Sequence, residues 1–194
     1  MSYHIYTTEG IILKRTTFGE ANLMLYILTQ DLGLIIASAR SARVSASKLR
    51  PALQEYTRVT VSCVKGKGGW KVTNVAHIEN YYFDSPKYTH KVLAQVVSLL
   101  IKMMPGESVN KNIFDLVDSA FSELKNINND DLESFETVVV LRILFELGYV
   151  ARDGQTEKIL ENSKNWNKDI ILDVTNNRRG IVSVINNALK ESQL

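Results

Sequence analysis

Between Asp31 and Glu79 the chain carries eight basic side chains, Arg40, Arg43, Lys48, Arg50, Arg58, Lys65, Lys67 and Lys71, against one acid, Glu55. Their spacing is uneven. Arg40, Arg43, Lys48 and Arg50 fall on one polar excursion that also holds Ser41, Ser45, Ser47 and Pro51. Lys65 and Lys67 alternate with the glycines of Lys65-Gly-Lys-Gly-Gly69, and Lys71 lies just beyond. Clustered cations of this kind suit a polyanion. Trp70 directly follows the second cluster. Cations that track a backbone beside an aromatic ring are what single-stranded nucleic acid requires, because bases stack on rings while phosphates pair with Arg and Lys. Tyr26 and Tyr56 are further ring candidates, and Lys14 and Arg15 add two cations from an early strand. The same residues also read as a solvated basic face, with Trp70 packed across a hairpin. Both readings stay open at this point.

The chemistry of catalysis is much thinner. Lys67-Gly68 lacks the flanking glycine and hydroxyl residue of a phosphate-cradling loop. Ser38, Ser41 and Ser45 have no nearby His, and no G-x-S-x-G turn occurs. Asp130, Asp131, Glu133 and Glu136 are paired carboxylates, but they sit at a helix start, where they complement the helix dipole. His77 falls on a strand face without a partner. One cysteine, Cys63, and three scattered histidines, His4, His77 and His90, assemble no tetrahedral zinc set. Cys63 alternates with apolar neighbours as a small core residue would. The reading is a chain without active site, metal or cofactor.

Positioning the cations requires a scaffold. The 194 residues include 45% hydrophobic and 23% charged side chains, enough for one large or two small cores. No apolar run approaches the ~18 residues of a membrane span, so no membrane is expected. The single cysteine and the absence of a signal-like start point to the cytoplasm. Charge divides the chain. Residues 1–82 hold ten basic and five acidic side chains, a net +5, while residues 83–194 hold thirteen and sixteen, a net −3.

Period-2 alternation predicts strands over Ile11 to Thr16, from Leu23 to Leu28, Leu34 to Ala39, Arg58 to Cys63 and Trp70 to Ile78. Five strands in about eighty residues, with a long excursion after the third, predict a small closed barrel, since closure removes exposed edges. The excursion, Arg40 to Pro51, reads as an exposed loop outside the core, with a helical turn near Ser47 to Leu53. In five-stranded oligonucleotide-binding barrels the loop joining strands four and five flanks the binding face, and Lys65 to Gly69 is that loop here. After Tyr82 the spacing becomes helical. Helices are predicted from Tyr88 to Met103, from an N-cap at Ser108 to Lys125, and from Leu132 to Leu147. The third is apolar nearly all round, hence central, and is ended by Gly148. A short extended run, Ile170 to Val174, precedes a last helix from Arg179 to Glu191. The fold class is α+β, with an N-terminal barrel domain at 1–82 and an all-α domain at 83–194.

The order of residues also resembles a known family. Glu9-Gly10-Ile11-Ile12-Leu13-Lys14, Phe18-Gly19-Glu20, the Thr29 to Gly33 turn, Ala39-Arg40-Ser41-Ala42-Arg43 and Ser47-Lys48-Leu49-Arg50-x-Ala52-Leu53-Gln54-x-Tyr56 look like the opening of the bacterial RecO recombination mediators. Leu141 to Tyr149 resembles that family's central helix and exit. The resemblance implies an oligonucleotide-binding barrel followed by helices. It implies binding of single- and double-stranded DNA, strand annealing, and help in loading recombinase on strands coated by single-stranded-DNA-binding protein. It implies RecR as a partner, and capture of the acidic tail of the single-stranded-DNA-binding protein by the helical part. The family's loop cations correspond to Arg40, Arg43, Lys48 and Arg50. Two departures matter. Ser41 stands where a glycine is expected, which stiffens the loop. Val150-Ala151-Arg152-Asp153-Gly154, with no later cysteine, replaces the zinc module many members carry, so no metal site is carried over. A chain of this length is also expected to have a reduced helical domain. Two other readings use the same residues: a protein-interaction adaptor whose barrel no longer grips nucleic acid, and an RNA-binding barrel.

Overall fold

A strand that must pair on both sides needs one point where neighbouring backbones come close, and β1 (Ile5–Phe18) has it at Gly10. Gly10 pairs with Val59 of β4 (Thr57–Gly66) and with Thr29 of β2 (Asn22–Thr29). A Cβ there would lie 2.8 Å from Ile27 Cγ2 and 3.3 Å from the Leu28 carbonyl oxygen. Before Gly10 the strand pairs only with β4, and beyond the irregularity at Ile12–Lys14 only with β2. With β3 (Gly33–Ala39) and β5 (Gly69–Asn80) the strands close as a barrel in the order β1-β2-β3-β5-β4. β3 and β5 meet in parallel through Ala37–Trp70 and Ser38–Lys71; the other pairs are antiparallel. The computed structural model describes residues 4–45, 47, 49–154, 156–161 and 165–192.

Alternation fills the barrel. Leu25 and Ile27, Ile35 and Ala37, Val59, Val61 and Cys63, and Trp70 and Val72 all point into one cluster. Each large aliphatic buried there contributes roughly 1.5–3 kcal/mol of transfer free energy. The five predicted strands are present, longer than their alternating runs. β1 begins six residues before its predicted run, at Ile5, and continues two residues past it to the exposed end Thr17–Phe18.

The helices are α1 (Tyr81–Asp84), α2 (His90–Met103), α3 (Lys111–Glu123), α4 (Leu132–Glu146), α5 (Glu157–Leu160) and α6 (Lys168–Glu191). The chain is thus α+β. It divides into two compact units. One holds the strands through Asp84 together with Met104–Phe114; the other holds Ser85–Met103 and the chain from Asp115 on. The return of Met104–Phe114 to the barrel unit has no counterpart in a division at residue 82. In the helical unit, α4 is buried along Phe135, Val138, Val139, Leu141, Ile143 and Leu144, and it packs on α6. Among the described residues no helix is long and apolar enough to cross a membrane.

Two helix expectations are corrected. Ile170 to Val174 is not extended: α6 is one helix of 24 residues, capped by Asn167, whose Oδ1 accepts from the Ile170 N–H at 3.0 Å. Its β-branched residues favour strand in isolation. Ile171, Val174, Ile181, Ile185 and Ala188 nevertheless form a buried helical stripe, and packing overrides propensity. α3 is capped by Asn110, whose Oδ1 accepts from the Ile113 N–H at 3.1 Å, and not by Ser108. Ser108 is held instead against β3. A Cβ on Gly33, at φ +72°, would strike the Ser108 carbonyl oxygen.

Candidate nucleic-acid interface

The excursion after β3 is pinned more firmly than its polar composition suggests. Ala42 within the excursion and Leu53 two residues past its end are fully buried in the barrel core, so the excursion is not the wholly exposed loop that its composition predicts. Small side chains allow this: Ala42 can enter a filled barrel end where a larger residue would clash. Ser41 sits in the left-handed region at φ +51°, with its N–H donating to Asn22 Oδ1 at 2.9 Å. That conformation costs a non-glycine residue about 1 kcal/mol. Arg43 then ties the excursion to the β1–β2 turn. Its backbone N–H donates to the Ala21 carbonyl at 3.0 Å, and its guanidinium donates to the carbonyls of Glu20 (3.0 Å) and Gly19 (3.4 Å). The predicted helical turn is present, with Leu53 N–H donating to the carbonyls of Leu49 and Arg50. Arg40 and Arg50 are exposed. Lys48 lies outside the described residues.

Strand register assembles the other candidates. Lys14 pairs with Tyr26, and Tyr26 with Ile36, in one row across β1, β2 and β3. The next row runs Thr16, Met24, Ser38 and Lys71, reaching β5. Alternation turns these residues away from the core, so the outer face carries Tyr26, Met24 and the exposed Ile36 between Lys14 on one side and Lys71 on the other. Arg40 is exposed in the turn just past the end of β3, two residues after Ser38. Arg15 is exposed as well, and its backbone N–H donates to Glu55 Oε1 at 3.0 Å.

At the β4–β5 hairpin the expectation divides. Lys67 is exposed at the tip. Lys65 is already paired, its Nζ 2.5 Å from Glu107 Oε2 and 5.2 Å from the centre of the Trp70 ring. The Lys65 ammonium holds the Glu107 carboxyl below the usual carboxylate range, and the Trp70 indole adds to this. Trp70 Nε1 has no acceptor at hydrogen-bonding geometry, so its effect on Glu107 is that of a nearby dipole. Trp70 itself is 6% exposed, within the barrel core, edge-on to Tyr6 at 5.3 Å. The ring therefore packs inside and presents no face for stacking, which corrects its candidacy as a platform. Glu107 was not legible as a site neighbour: it lies 42 residues from Lys65. The Pro105-Gly106 pair beside it marked only a helix end.

The zinc module of the resembling family does not fit. Asp153 is the one usual ligand type in Val150–Gly154, and its Oδ1 accepts from the Thr156 N–H and hydroxyl, both at 3.0 Å. Among the described residues no group of three or more His, Cys, Asp or Glu side chains could hold a metal ion.

Residues 1–81 match the family described as recombination protein O N terminal. The protein named DNA repair protein RecO from Dehalococcoides mccartyi strain 195 is 35% identical over 130 residues, 66% of this chain and 51% of that protein. The proteins of the same name from Heliobacterium modesticaldum and Desulfatibacillum aliphaticivorans are each 26% identical, over 148 and 152 residues. These are 75% and 76% of this chain, and 52% and 56% of the relatives. The chain thus spans about half the length of the curated relatives it matches. The match over the strands and its extension into the helices agree with the order of residues in both parts, and residues 1–81 belong to the RecO family as its N-terminal part.

Proposed function

We propose that this chain is a DNA-binding mediator of recombination and repair, working in the cytoplasm without catalysis of its own. The barrel, read as an oligonucleotide-binding barrel, takes single- and double-stranded DNA across the outer face of β1, β2 and β3. The observation that carries this reading is the register that sets Lys14 and Lys71 around one outward face bearing Tyr26 and Ile36, with the exposed Arg40 just past the end of β3. Phosphates pair with the cations at the rim, and bases lie against the apolar strip. Arg15, Arg50, Lys48 and Lys67 extend the positive rim. Arg43 contributes by holding the excursion against the β1–β2 turn. On this reading the bound strands are annealed and handed to recombinase on DNA coated by single-stranded-DNA-binding protein, with RecR as partner. On the same reading the acidic tail of the coating protein is taken by the helical unit; what supports this is a cavity of about 1050 Å³ lined by Lys158 and Arg179, together with Asp173 and with Arg178, which is itself paired with Glu133 at 2.6 Å.

The test is the anisotropy of a short fluorescent single strand across a salt series, for the natural chain and for a variant with Arg40, Arg43, Lys48 and Arg50 changed to Ala. Loss of ~3 phosphate contacts flattens the log–log slope by roughly 2. An unchanged slope removes the excursion from the interface. The burial of Trp70 and the pairing of Lys65 favour a second reading, an interaction adaptor with a vestigial barrel. It predicts no anisotropy change even at low salt.

A further inference from the structure

Where β5 ends, three aromatic rings gather on the barrel unit. Tyr56 has φ +63°, a conformation glycine adopts freely and tyrosine does not. Backbone hydrogen bonds hold it there: its N–H donates to the Ile12 carbonyl at 2.7 Å, and its carbonyl accepts from the Tyr81 N–H at 3.0 Å. The result is a ring stacked on Tyr82, with centroids 5.8 Å apart and planes 18° from parallel. Tyr82 meets Phe83 at right angles, with centroids 5.5 Å apart. α1 is short enough to leave these side chains outside the core, and Phe83 is 75% exposed. A phenylalanine ring so exposed gains little from burial, and among the described residues its one ring contact is the right-angle one with Tyr82, itself stacked on Tyr56.

The charges around the cluster sort by what they can meet. Glu55 precedes Tyr56, and its carboxylate accepts the Arg15 backbone N–H. Asp84 follows Phe83, and its carboxylate accepts the Asn80 backbone N–H at 3.3 Å. Two carboxylates beside the rings disfavour a phosphate there but not a neutral base. The exposed cations Lys14 and Arg15 lie one step further, on the β1 segment joined to Glu55. That is the pattern of a strand whose base enters an aromatic site while its phosphates stay on the basic rim.

We propose that Phe83, braced by the stacked Tyr56–Tyr82 pair, is a stacking platform for an unpaired nucleobase. The space between Tyr56 and Tyr82 is too narrow for a base, so the base lies on the Phe83 ring. This inference rests on the DNA-binding reading and gives the bound strand a ring-stacking contact that Trp70 cannot supply.

The experiment compares the natural chain, Phe83→Ala and Phe83→Tyr on three ligands: a single-stranded oligonucleotide, the same strand with abasic positions throughout, and a duplex of equal length. Phe83→Ala is expected to weaken binding of the intact strand roughly ten-fold and to leave abasic-strand and duplex binding unchanged, while Phe83→Tyr keeps the natural affinity. Its salt slope stays that of the natural chain, because no phosphate contact is lost. Equal binding of the intact strand by Phe83→Ala and the natural chain overturns the platform while leaving DNA binding intact. Equal loss on the abasic strand also overturns it, since the effect would then not pass through bases. A natural chain that binds none of the three ligands overturns the underlying reading instead.

Discussion

Cys63 pairs across the strands with Tyr6 and Val72 and is 1% exposed in the barrel core. Removal from water penalises the thiolate, and burial pushes the Cys63 thiol from 9.0 up to about 11. The sign follows directly. Below pH 9 both folded and unfolded chains hold the proton, and stability is independent of this group. Between 9 and 11 the unfolded chain releases the proton while the folded chain keeps it, so stability falls as pH rises, by at most about 2–3 kcal/mol. Urea midpoints at pH 8 and pH 10.5 should show this drop, and Cys63→Ala should remove that part of it. In the native protein at pH 8 the thiol should stay unmodified by iodoacetamide over the time needed to label the unfolded chain. At this scale Cys63 was legible, because alternation with Val59 and Val61 marks an inward position. Trp70 was less so. Its glycine-rich approach suggests a surface, and only the parallel closure of β5 on Ala37 draws it inside.

Closure also explains the element that sequence did not place. β3 and β5 pair only at Ala37 and Ser38, so the earlier part of β3 is an open edge. Met104–Phe114 covers it: Leu34 N–H donates to the Gly106 carbonyl at 2.9 Å, and Gly33 leaves room for Ser108. Such cover is a usual answer to an exposed edge. Nothing local announces it, because Pro105-Gly106 reads the same whether the chain turns to solvent or to a sheet. In this position Glu107 occupies the Lys65 ammonium, where a phosphate would otherwise sit. Glu107→Gln should therefore steepen the single-strand salt slope by about 0.7, one further phosphate contact, and tighten binding at low salt. Both groups are about half exposed, so stability should change by less than ~1 kcal/mol. Glu107 is held below its usual range. The pair's small contribution is thus present above about 4.5 and lost as pH falls through the folded value. Equal slopes for the two proteins would show that Lys65 takes no part in binding.

At the scale of the molecule the net charge of +2 conceals a +5 segment joined to a −3 segment. The uneven split was readable by counting, as was the α+β order, because periodicity changes where strands give way to helices. Membership of Met104–Phe114 in the barrel unit was not, since it depends on a chain that leaves the unit and returns. A polyanion responds to the local field more than to the sum. If about 4–5 of the rim cations Lys14, Arg15, Arg40, Lys48, Arg50, Lys67 and Lys71 engage phosphates at once, log affinity for a single strand should fall with log salt at a slope of about −3. The same contacts on a duplex should give about −4, because each duplex phosphate releases more condensed counterion. Titration of one length of each ligand between 50 and 200 mM salt measures both slopes. A single-strand slope near −1 would mean that the chain meets DNA as a weakly charged whole, and that its cations are solvated separately instead of gathered on one face.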